Sequence, residues 1–171
     1  MFDTVFGLPM HPLVVHAVVV LLPLAAIGGV LVAVVPRVRE RLGLLVALIA
    51  VAAVPAVIVA TLSGERLETR VNATFGPGAA SAREAELMQA HTAIAGNLLP
   101  WAALLAIALV ALMAVALRAR RPNNPAWLRS GGHLASALVV LAAAANLYWV
   151  IRIGHAGSRA TWGDVIDAVG S

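Results

Sequence analysis

The chain has 171 residues, 61% of them hydrophobic and 12% charged, with a net charge of +4 and a mean hydropathy of +0.93. A water-soluble domain carries about 25% charged residues, so polar groups here are too few to cover a water-facing surface, and the composition specifies an integral membrane protein. Every basic residue is an arginine, and the arginines cluster beside apolar runs, which argues for membrane topology over nucleic-acid binding; the lack of cysteine excludes disulfides, thiolate metal sites and covalently attached c-type haem.

The N-terminus, "MFDTVFGLPM", carries Asp3 and no basic residue, and the apolar run behind it is too long for a signal h-region. It is expected to remain as the first span, about 12–35. The second span is expected at about 42–62, the third at about 91–117 and the fourth at about 133–153, each long enough for about 30 Å of hydrocarbon. Backbone groups in lipid must pair within the segment, so all four are expected to be helices. The fold class is all-α: a polytopic four-helix transmembrane bundle forming a single domain over 1–171. Pro23, Pro55 and Pro100 fall inside three of the runs and predict kinks. Small-residue stretches such as "LAAAAN" (141–146) permit close helix approach.

Between spans one and two, "PRVRERLG" holds Arg37, Arg39 and Arg41. Between spans three and four, "RARRPNNPAWLRS" holds Arg118, Arg120, Arg121 and Arg129. The positive-inside rule makes these two short loops cytoplasmic. The opposite side carries five arginines as well, spread over a long loop and a tail. The expected location is the plasma (inner) membrane, multi-pass, with both termini and the loop 63–90 extracytoplasmic. Within that loop, "GPG" at 76–78 breaks the chain, and Ser81 with Glu84 has the spacing of a capping box for a helix running into span three. Trp162, in the short C-terminal tail, is expected at the membrane interface.

This topology gathers four of the five histidines in one outer layer: His11 and His16 on span one, His91 opening span three and His155 closing span four. His133 alone lies on the other side. Glu65, Glu68, Glu84, Glu86 and Arg152 share the outer layer. His16 lies five residues beyond His11, so about 7.5 Å deeper and about 140° around a helix. Pro12 is well placed as the first helical residue, which would leave His11 at the interface and His16 inside the span, at the depth of His91 and His155.

Three readings follow from these residues. A b-type haem needs one or two axial side chains, which two of His16, His91 and His155 would supply on facing helices, with Arg152 pairing a propionate. Zn or Cu would instead use His11, His16, His91, His155 and Glu65, since neutral imidazole suits both. No helical H-E-x-x-H element is present, so catalytic zinc is disfavoured, and no catalytic residue is assigned. The third reading has no cofactor: an accessory or scaffold subunit of a larger membrane assembly, whose outer histidines and carboxylates sense pH or handle protons. A homo-oligomer is compatible with all three, and nucleic acid is not a partner.

The stretch "LPMHPLVVHAVVVLLPLA" resembles the opening element of the predicted membrane proteins grouped as domain of unknown function 2231. "SGERLE" after span two, "AHTAIAG" opening span three and "RIGHAGSRATWGD" closing span four resemble that family's other recurring stretches, in the same order, over about 9–163. The resemblance implies four spans and draws attention to His11, His16, Glu65, His91 and His155. Fusion of some relatives to Rieske-type or cytochrome c-type domains implies redox or respiratory-chain surroundings. Alanine and valine follow His16 here, where many relatives carry phenylalanine and proline.

Overall fold

The computed structural model describes residues 4–5, 8–75, 90–122 and 125–169. A two-residue antiparallel ladder, β1 (Thr4–Val5) on β2 (Leu8–Pro9), leads directly into the first helix. Four long helices follow: α1 (Met10–Val34), α2 (Pro36–Phe75), α3 (Leu98–Ala119) and α4 (Trp127–Val169). A helical segment at 90–95 precedes α3, separated from it by a turn at 96–97, and the third span as a whole covers Ala90–Ala119. All four spans are long and apolar enough to cross a membrane, as the sequence predicts.

Two helices run further than the sequence suggests. α2 continues through the polar residues after Ser63 to Phe75, so the first half of the expected 63–90 loop is helical. α4 likewise carries the C-terminal tail as helix to Val169. With 40 and 43 residues, they measure about 60 and 64 Å at 1.5 Å per residue, twice the hydrocarbon thickness. The excess projects from the histidine end, away from the arginine-rich connections. Pro23 and Pro55 lie within α1 and α2. Pro100 instead falls in the first turn of α3, where a missing N–H costs little. The capping box at Ser81, with Glu84 and Glu86, lies outside the described residues.

The helices form a four-membered ring in chain order, α1 against α2, α2 against α3, α3 against α4 and α4 back against α1, with little contact across the diagonal. The larger core layer joins Ala25, Ala26 and Val32 of α1 to Ala47 and Ala50 of α2, Leu105, Leu109 and Leu112 of α3, and Val139, Ala142 and Ala143 of α4. A smaller layer of Val18, Leu22, Ala53, Val57, Leu98 and Ala102 lies towards the histidine end. Alanine dominates the larger layer because lipid is as apolar as the core, so association depends on close backbone approach rather than on hiding large side chains. Large apolar residues such as Leu24, Leu44, Ile107 and Leu141 face outward, as a lipid-embedded surface requires.

One residue, Val35, separates α1 from α2, and the last carbonyls of α1 need partners. Arg39, one turn into α2, supplies them. Its Nε donates to the Val32 carbonyl at 2.9 Å and a terminal nitrogen donates to the Ala33 carbonyl; the same nitrogen reaches Ser136 Oγ on α4 at 3.5 Å. Within the core, Asn146 is fully buried and its Nδ2 donates to the carbonyls of Trp101 on α3 and Ala142 on its own helix, both at 2.8 Å. Its Oδ1 is buried and has no hydrogen-bond partner among the described residues.

Candidate functional site

His11 lies in the first turn of α1, because the helix begins at Met10 rather than at Pro12. Its half-buried ring crosses to α2, where Nδ1 lies 3.0 Å from the Ala60 carbonyl and 3.2 Å from Ser63 Oγ. A carbonyl oxygen only accepts, so Nδ1 carries the proton and donates to Ala60. Ser63 Oγ–H donates to the same carbonyl at 3.0 Å, leaving its oxygen to accept from the imidazole. This fixes the tautomer and places the ring's lone pair on Nε2. One face of the ring covers Gly64: a methyl group there would stand 2.9 Å from Cε1 and 3.3 Å from Nδ1.

His91 repeats the arrangement on the other hairpin. Its half-buried ring crosses from the start of the third span to α4 and covers Gly157, where an added Cβ would stand 3.2 Å from Cε1. The ring lies against the backbone of Ile153 on the same helix. Its Nδ1 is buried and makes no hydrogen bond among the described residues. Each inward histidine thus occupies a notch that only glycine leaves open on the neighbouring helix.

The remaining residues singled out in the sequence lie elsewhere. His16 is exposed and bonds only within its own helix, Nδ1–H donating to the Pro12 carbonyl at 2.6 Å. His155, Glu65 and Arg152 are exposed, and Arg152 turns towards Tyr148 rather than into the bundle. His133 is exposed at the opposite end. Of the five metal candidates, the structure turns His11 onto α2 and His91 onto α4 and leaves His16, His155 and Glu65 exposed. Among the described residues, no three His, Asp or Glu side chains come together in a group able to hold a metal ion.

Sequence reasoning passed over the partners that hold the imidazoles, namely Ser63, Gly64 and Gly157. Their signal was present: a glycine closes "SG" after span two and "HAG" after span four, at the depth of the two inward histidines. Asn146 is also legible in the sequence as a lone amide within an apolar run.

A family model described as predicted membrane protein (DUF2231) matches residues 7–170, nearly the whole chain. No curated protein and no solved structure matches it.

Proposed function

We propose that this chain, which belongs to the DUF2231 family of predicted membrane proteins, is a non-catalytic accessory or scaffold subunit of a larger membrane assembly. One observation carries this reading: the inward imidazoles, His11 and His91, are each used to fasten one helix to the next. His11 spends its Nδ1 proton on α2, and each ring fills a glycine notch. Such use of histidine fixes the relative height of paired helices in a medium that offers no hydrophobic force between them. The broad apolar exterior and the short connections between spans one and two and between spans three and four suit a subunit that works by contact within the bilayer. In this reading the arginine-rich connections face the cytoplasm of the plasma (inner) membrane and the histidine end faces outward, by the positive-inside rule.

Mass measurement of the protein extracted from its own membranes in mild detergent tests the proposal. Stoichiometric co-purification with other membrane chains is expected. A monodisperse, partnerless protein overturns it.

A second reading rests on a different observation. The buried Nδ1 of His91, which has no hydrogen-bond partner among the described residues, and the Nε2 lone pair of His11 are two nitrogen donors on different spans. Haem b, or Zn or Cu, would bind through this pair, with His16, His155, Glu65 and Arg152 contributing only if they turn inward. Oxidised and dithionite-reduced absorption spectra, with elemental analysis of the same sample, decide between the two. A Soret band or a stoichiometric metal lost on His91→Ala supports the cofactor; a colourless, metal-free protein removes it.

A further inference from the structure

α4 presents one exposed stripe along almost its whole length. Leu134, Leu141, Tyr148 and His155 recur every seven residues, and Arg152 and Arg159 fall within about 40° of the Tyr148 direction at 100° per residue. All six are exposed. In chain order the stripe is apolar, then aromatic, then cationic. The order matches depth. Arg129 and Arg152 bracket a run without charge over 130–151, which at 1.5 Å per residue is about 33 Å, close to the hydrocarbon thickness. Leu134 and Leu141 therefore lie among acyl chains, Tyr148 one turn inside the hydrocarbon edge, and Arg152 at the edge. Arg159 stands about 10 Å further out, beyond His155.

Among the described residues, the two guanidinium groups have no anionic partner. Arg152 stacks over the Tyr148 ring, 5.8 Å from its centroid, and donates to the Tyr148 hydroxyl at 3.3 Å, which draws its guanidinium back one turn along the helix and leaves Arg159 as a second cation further out. Neither arginine pairs with a carboxylate among the described residues, and α4 contains no acidic residue between Trp127 and Gly163. One cation at the hydrocarbon edge and a second about 10 Å outside it, with an aliphatic track beneath, match a ligand that has an anionic head and a long apolar tail. Packing of a second copy on this stripe would set Arg152 and Arg159 against their own counterparts, a like-charge arrangement that opposes it.

We propose that Arg152 and Arg159, with Tyr148 and His155 between and below them, bind the phosphate headgroup of an anionic phospholipid whose acyl chain lies along Leu141 and Leu134. Arginine suits phosphate because its planar fork donates two parallel hydrogen bonds. Tyrosine at the headgroup boundary suits the glycerol level, apolar below and polar above.

The full-length protein in mild detergent, titrated with dioleoylphosphatidylglycerol or dioleoylphosphatidylcholine and weighed by native mass spectrometry, tests the site. Each arginine beside an anionic headgroup is worth about fivefold in affinity, so Arg152→Gln with Arg159→Gln is expected to weaken phosphatidylglycerol binding about 25-fold. Arg152→Lys with Arg159→Lys should retain most of it, and helicity should match the parent in both because the side chains are exposed. Phosphatidylcholine should bind the parent as weakly as phosphatidylglycerol binds the glutamine pair. Three results would each overturn the proposal: unchanged phosphatidylglycerol affinity in the glutamine pair, displacement of the lipid by millimolar inorganic phosphate, which makes a free anion the ligand, or a change of oligomeric mass in that pair, which makes the stripe a subunit contact.

Discussion

Gly64→Ala tests the histidine pins most directly, because two effects of opposite sign meet at one methyl group. In an exposed helix, alanine in place of glycine stabilises by roughly 0.5–1 kcal/mol. Here the new Cβ would stand 2.9 Å from His11 Cε1, well inside the 3.5–4.0 Å of ordinary carbon contact, so the ring must retreat by about 0.6–1 Å. From starting lengths of 3.0 and 3.2 Å, that retreat carries the bonds to Ala60 and Ser63 to or beyond the hydrogen-bonding limit. Each is worth about 1 kcal/mol, so their loss outweighs the helix gain and the variant should be destabilised by roughly 1 kcal/mol. In a His11→Ala background the ring is gone, and Gly64→Ala should stabilise by roughly 0.5–1 kcal/mol. The coupling between the positions is then about 1.5–2 kcal/mol. Reversible unfolding in mixed detergent micelles, followed by tryptophan fluorescence across the four variants, measures it. If Gly64→Ala stabilises both backgrounds equally, His11 is not seated against α2 as described.

Three further substitutions probe other parts of the bundle. Arg39→Ala removes the donors that satisfy the end of α1 and should cost about 2 kcal/mol in the same assay, with Lys restoring only part because a single ammonium lacks the planar fork. His16→Ala should lie within about 0.5 kcal/mol of the parent and leave any cofactor spectrum unchanged, since the ring is exposed and bonds only to its own helix; a large loss would place His16 in the working site after all. Asn146→Asp puts a carboxylate into the core with no cation beside it and should cost about 3 kcal/mol, measured by unfolding midpoint; parent-like stability would show that water already reaches this position.

Much of the fold could be read from composition and hydropathy, because a lipid solvent forces helices and fixes their length. The four spans followed from those constraints alone; the expected loop at 36–43 did not, since Val35 is the whole connection and Arg37, Arg39 and Arg41 lie in the first turns of α2. Helix ends did not, since residues 64–75 and the tail after His155 are polar, and polarity marks departure from lipid rather than the end of a helix. The site was harder. Depth along the chain correctly grouped His11, His16, His91 and His155 near one end, but depth carries no information about azimuth. Starting the helix at Met10 rather than Pro12 made His11 a helical residue facing α2, while His16, about 140° away on the same helix, faces outward. Which histidine faces inward depends on how α1 is rotated, and that is set by contacts with α2 and α4 that no periodicity in an apolar run reveals.

The single-residue connection at Val35 has a consequence for how the protein is made. α1 and α2 leave the ribosome before α3 and α4, and the bonds that close their turn come from Arg39 to Val32 and Ala33, all within that hairpin. The first hairpin can therefore enter the bilayer as a finished piece, its turn already satisfied and its connection too short to be drawn across. Only the longer Arg39–Ser136 contact waits for α4. Biogenesis then becomes the docking of a late hairpin onto an early one, and Arg39 is the residue that both completes the early piece and receives the late one.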